Sequence, residues 1–207
     1  MHRLRLQTLR DRQSVIVVVL LIGVGILAFA RGSISEHVLV YLAVLIPSII
    51  LHEVSHGAVA NLFGDPTAKE AGRLTLNPIP HIDPFGTIIL PAILLLSSGG
   101  FIGYAKPVPV NPRRMRDPRN HGLLVSLAGP ATNIVIALLS ALAIRLTLSS
   151  SALYLAIAAP NQAPLVHVLI VDFGFANVIL AAFNLIPLPP LDGSALIERV
   201  LPASVWP

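Results

Sequence analysis

The residues most able to do chemistry lie together in His52-Glu53-Val54-Ser55-His56, an HExxH pattern. On an α-helix, residues four apart share a face, so both imidazoles can reach a single metal ion. Glu53 sits beside them, placed to take a proton from a water at that metal. The chain has no cysteine, which removes disulfides and thiolate metal sites together. Any transition metal must therefore be held by histidine and carboxylate. One Zn2+ ion suits such a set, although His2–carboxylate sites also hold other divalent metals. A catalytic zinc takes three protein ligands and keeps one position open, so a third ligand must come from elsewhere in the chain.

The surroundings of the motif sharpen this reading. Hydrophobic residues make up 55% of the 207 residues and charged residues only 12%, with a mean hydropathy of +0.80. That is more apolar side chain than a soluble domain of this size can bury, so the chain belongs in a lipid bilayer. HEVSH itself lies inside the apolar stretch His37 to Phe63, which is long enough to span. A glutamate at the centre of a spanning helix costs about 2.5–3.5 kcal/mol on insertion scales, so the cluster needs a partner or water.

Two further stretches, Gly122 to Thr147 and Leu165 to Pro187, are also long enough to cross, and Pro187, Pro189 and Pro190 stop the second. Val15 to Ala30 follows Arg3, Arg5, Arg10 and Arg12 and reads as a signal anchor with a cytoplasmic N-terminus. Ala28-Phe29-Ala30 also has the form of a cleavage site, but the run is long for a removable signal peptide. The stretch Gly86 to Gly103 is broken by Pro91 and Ser97-Ser98-Gly99-Gly100. If it crossed, the loop with Lys106, Arg113, Arg114, Arg116 and Arg119 would lie outside, against the positive-inside bias. A re-entrant element keeps that loop and Lys69 with Arg73 cytoplasmic.

The expected fold class is therefore an all-α polytopic membrane protein of about four spanning helices plus a re-entrant or strand-like element. It forms a single domain over residues 1–207, with a core of about 37–194, in the cell membrane.

Two acids compete as third ligand, Asp172 and Asp192. Asp172 lies a few residues into its span from the outer end, where Arg145 is a better match as an ion-pair partner. Asp192 follows the proline-broken segment Asn184 to Gly193 near the cytoplasmic side. His52 lies about 16 Å in from the cytoplasmic end of its own span at the helical rise. An extended segment folding back can carry Asp192 to that depth. Asn133 falls at about the depth of His52 on the third span and is a candidate hydrogen-bond partner for substrate or transition state. Packing between helices is the competing role.

Three segments, HEVSH, Leu127 to Asn133 (LAGPATN) and Phe183 to Gly193 (FNLIPLPPLDG), resemble the signature segments of the site-2 protease family of intramembrane zinc metalloproteases. Tyr104 to Pro112 (YAKPVPVNP) is similar to a segment of its short prokaryotic members. The resemblance implies His52, His56 and Asp192 as zinc ligands and Glu53 as the catalytic glutamate. It also implies membrane-protein substrates cut in or near a transmembrane segment, often in regulated proteolysis. Gly99 and Gly100 fall where that family has a strand-like element beside the site, whose edge could hold substrate by backbone hydrogen bonds.

Other function classes fit less well. Nucleic-acid binding would want a continuous basic face with aromatics, against a net charge of +4 and 5% aromatic residues. A metal transporter should space its ligands along a path, whereas these converge on one point. A catalytically inactive binding protein should lack one of the four key residues, and all four are present.

Overall fold

A computed structural model describes residues 36–83 and 106–200, together with Gly23. The chain divides into two compact units, residues 1–38 with 81–106 and residues 39–80 with 107–207. In the first, the Lys106 N–H donates to the His81 carbonyl at 2.9 Å. The second carries the HExxH motif.

Six helices occur among the described residues, and no strand. They are α1 (Glu36–Leu62), α2 (Thr67–Glu70), α3 (Pro118–Thr147), α4 (Ser150–Ala158), α5 (Leu165–Asn184) and α6 (Ser194–Val200). Helices α1, α3 and α5 are long and apolar enough to cross a membrane. Their 27, 30 and 20 residues correspond to about 40, 45 and 30 Å at the helical rise, against a hydrocarbon core of about 30 Å.

Local chemistry sets the ends of these helices. Asp117 caps α3 by accepting from the Asn120 N–H, and Pro118 occupies the first turn, where its missing N–H costs nothing. That cap starts the helix four residues before the expected Gly122. Ser149 caps α4 in the same way through the Ala152 N–H. Helix α5 stops at Asn184 rather than at Pro187, because the prolines that follow cannot supply the N–H groups a further turn needs.

The packing is inside-out relative to a soluble bundle. Leu138, Leu139, Leu142, Phe175 and Val178 are exposed, whereas Ser48, Ala60, Asn133, Ala176 and Asn177 are fully buried. Small and polar residues let helices approach and bond to one another, and large apolar residues face lipid. The most extensive packing joins α3 to α5, where a Cβ at Gly174 would already meet Ser140 Cβ at 3.1 Å.

Beyond α1 the chain turns at Gly64, whose φ of +104° suits glycine. Asp65, fully buried, ties this turn to the segment that precedes α3. One carboxylate oxygen accepts from the Thr67 N–H at 3.1 Å and from the Thr67 hydroxyl, and the other from the Asn111 N–H at 2.6 Å. Arg114 adds an exposed ion pair to Glu70 at 2.7 Å. Phe63 stacks on His121 with ring centroids 4.0 Å apart.

Three of the expected spanning stretches are thus seen as helices. Val15 to Ala30, apart from Gly23, and all of Gly86 to Gly103, including Gly99 and Gly100, lie outside the described residues.

Candidate metal centre

Ser48, His52 and His56 follow one another at four-residue steps and so share a face of α1. Val125, Gly129 and Asn133 do the same on α3. The two faces meet in antiparallel register. His56 Nδ1 lies 2.6 Å from the Val125 carbonyl, and His52 Nδ1 lies 2.5 Å from Asn133 Oδ1. Both partners are oxygens that only accept, so each Nδ1 carries the hydrogen and each Nε2 presents a lone pair.

Those two lone pairs point to the same place. His52 Nε2 and His56 Nε2 are 3.1 Å apart. Asp192 Oδ2 lies 3.1 Å from the first and 3.4 Å from the second, and it is buried without a hydrogen bond. Three acceptor atoms at such distances repel unless a cation sits among them. Donors bonded to one tetrahedral zinc at about 2.0–2.1 Å would stand about 3.3 Å apart, close to the observed spacings. The donor set therefore fits a metal ion, and these three residues form a group able to hold one.

The segment after α5 carries Asp192 there. Asn184 Nδ2 donates back to the Leu180 carbonyl at 2.9 Å, and the Asn184 carbonyl accepts from the Gly193 N–H at 2.7 Å. This closes the loop on itself. A Cβ at Gly193 would stand 2.6 Å from the Ile186 carbonyl oxygen and even closer to that of Leu185, so only glycine fits beside the acid. Asp172 lies elsewhere, buried on α5, and Arg145 is exposed and makes no ion pair with the described residues.

Glu53 follows His52 directly on α1. Its Oε2 accepts from the Val108 N–H at 2.8 Å, in the irregular segment Lys106 to Asn111. That segment and α2 both pack tightly on α1, since a Cβ at Gly57 would fall 2.9 Å from Val108 Cγ1 and 2.8 Å from Ala68 Cβ. Arg73 holds the same segment by donating to the Pro107 carbonyl at 3.3 Å. The other oxygen, Oε1, makes no hydrogen bond with the described residues.

Gly129 is a functional position that residue types alone did not single out. A Cβ there would lie 2.6 Å from His52 Nε2 and closer still to His56 Nε2. The small-residue run at Leu127 to Asn133 was the available signal. Asn133 itself is fully buried, with its amide engaged by His52 and Asn177. Of the two roles expected for it, substrate contact and packing between helices, these bonds display the second, joining α1, α3 and α5.

A family model, peptidase family M50, matches residues 40–205, a range that holds HEVSH, LAGPATN and the Asp192 loop. The chain belongs to that family. Curated relatives of this M50 peptidase bear the name "Putative zinc metalloprotease". YwhC of Bacillus subtilis is 44% identical over 161 residues, covering 78% of this chain and 68% of that protein. Rip2 of Mycolicibacterium smegmatis is 34% identical over 153 residues, covering 73% of this chain and 53% of that protein. The M50 chain thus spans about half the length of Rip2. No solved structure gives a significant match. Family membership makes the chain a zinc metalloprotease of the site-2 type, and its three long apolar helices make it a multi-pass membrane protein.

Proposed function

We propose that this protein is an intramembrane zinc endopeptidase that hydrolyses peptide bonds in or near transmembrane segments of membrane-protein substrates, in regulated intramembrane proteolysis. His52, His56 and Asp192 hold one zinc ion and Glu53 is the general base. The observation that carries the reading is the convergence of three acceptor atoms, 3.1–3.4 Å apart, with two of them on a helix able to span the membrane.

When bound, the zinc supplies Lewis-acid polarisation of water and of the scissile carbonyl. The chain's residues do the rest. The Val108 N–H holds one oxygen of Glu53 and so fixes the direction of the other. That free oxygen, Oε1, takes the proton of the attacking water and returns it to the leaving amine. Gly129 keeps a wall of backbone against the two imidazoles, which prevents them from swinging apart.

The clasp at Asp65 and Asn111 supports a re-entrant course for the segment Gly86 to Gly103, because it ties both flanks of that segment to one end of α1. With the basic residues of those flanks cytoplasmic, the N-terminus is cytoplasmic too.

The test is proteolysis by the purified chain in detergent, on single-span substrates, with chelator and with zinc restored. Cleavage should stop on metal removal and return with zinc. Glu53→Gln should abolish it while zinc content stays near wild type, because the amide cannot accept the proton and the side chain is not a ligand. Cleavage that persists without metal, or full activity in Glu53→Gln, contradicts the reading.

A further inference from the structure

The His52 ring ends a hydrogen-bond chain that runs through all three long helices. The Ser48 hydroxyl donates to the Val44 carbonyl at 2.7 Å. Asn177 Nδ2 donates to Ser48 Oγ and to the Phe173 carbonyl, each at 2.8 Å. Asn133 Nδ2 donates to Asn177 Oδ1 at 2.6 Å, and Asn133 Oδ1 faces His52 Nδ1 at 2.5 Å. Ser48, Asn133 and Asn177 are each 0% exposed, so water has no access to replace any link.

The chain has one possible direction. Val44 and Phe173 contribute backbone carbonyls, which cannot donate. Phe173 therefore fixes the NH2 end of Asn177, which leaves Asn177 Oδ1 facing Asn133. That oxygen in turn demands the NH2 end of Asn133, which leaves Asn133 Oδ1 facing His52. Reversing Asn133 would set two oxygens against each other at 2.6 Å. A buried polar group without its partner costs about 1–3 kcal/mol, so the relay holds its sense.

We propose that Ser48, Asn177 and Asn133 are positioning residues that lock His52 in the Nδ1–H tautomer, so that its Nε2 lone pair is committed to the metal before the metal arrives. The proposal rests on the metal-centre reading above. A histidine held by an acceptor at its far nitrogen is a better and better-aimed ligand, and losing such partners typically costs about 10–100-fold in metal affinity or activity. The arrangement also explains why two asparagines and a serine are completely buried within these helices. Each polar group is consumed by the next, and the last is consumed by the ligand.

Zinc affinity by chelator competition, measured on the full chain in detergent, tests the relay. Asn177→Leu keeps the volume but removes the acceptor that orients Asn133, and should weaken zinc binding about 10–100-fold. Asn177→Asp should retain most of the affinity, because burial favours the neutral acid, which offers the same acceptor and one donor. Wild-type affinity in Asn177→Leu, or an equal loss in both variants, overturns the proposal by reducing Asn177 to packing. A second measurement needs no variant to fold. In zinc-free, 15N-histidine-labelled wild type, the nitrogen shifts of His52 should place its proton on Nδ1, and a proton on Nε2 overturns the lock. A wild type that binds no zinc would refute the metal centre, while the nitrogen shifts would still decide the relay.

Discussion

At the scale of single residues, the site is built from side chains whose neighbours leave them one arrangement. His52 and His56 were legible from spacing, since four residues on a helix fix a shared face before anything else is known. Asp192 needed the proline-broken segment, whose fold-back brings the acid to within 3.4 Å of both imidazoles. Substitution separates the two acids. Asp192→Ala should strip zinc from the purified protein, as metal analysis would show, whereas Asp172→Ala should keep it. The reverse result would mean that Asp192 is not the third ligand. Gly129→Ala should likewise abolish zinc binding, although no ligand is touched, because its Cβ would occupy the space of both Nε2 atoms. Retained zinc in that variant would show that α3 can withdraw. Neither Gly129 nor Asn177 could be found from spacing, because their partners lie far off in sequence: Asn177 meets Ser48 across 129 residues. Only their types gave a hint, a glycine and an asparagine within spans.

At the scale of elements, what matters is how the end of α1 is fastened to the chain that returns beside it. The three long helices were legible as apolar runs, whereas their ends were not, since α3 begins at a cap formed by Asp117 and not where the polar residues cease. The clasp at Asp65 was invisible for the same reason: its partners, Thr67 and Asn111, are backbone and hydroxyl donors with no pattern of their own. Burial works to raise the Asp65 carboxyl, but the Thr67 hydroxyl, the Asn111 and Thr67 N–H groups and Arg114 hold it below its ordinary value. A lowered native value means that the carboxylate stabilises the fold above the ordinary range and loses this contribution as pH falls through the lowered one. Asp65→Ala should therefore reduce stability by about 2 kcal/mol or more at neutral pH. In thermal melts the gap between variant and wild type should narrow only below about pH 4. A gap that is the same at pH 7 and at pH 3 would show that Asp65 acts by packing alone. Because the clasp holds Asn111, three residues from Val108, its loss should also loosen the N–H that fixes Glu53.

At the scale of the whole molecule, the chain sorts its residues as a bilayer requires, with large apolar side chains outward and small or polar ones inward around the metal cluster. Composition made the membrane legible at once, because 55% hydrophobic residues cannot be buried by 207. The course of the segment between α2 and α3 was harder to read, since its prolines and glycines interrupt any regular period, leaving charge as the guide. Geometry now adds to that guide. The Arg114 guanidinium lies 2.7 Å from Glu70, which follows Lys69 directly. The two residues therefore share one end of the helices, and a chain that leaves and returns at one face of a bilayer crosses it an even number of times. Single cysteines at positions 69 and 114, in a chain that has none of its own, provide the measurement. In intact cells both should resist a membrane-impermeant thiol reagent, and both should react once the membrane is opened. Labelling of position 114 from outside, with position 69 protected, would place the basic loop across the membrane and turn Gly86 to Gly103 into a true span. Such a result would also require the clasp between Asp65 and Asn111 to be absent in the bilayer, and with it the hold on the segment whose Val108 N–H bonds to Glu53.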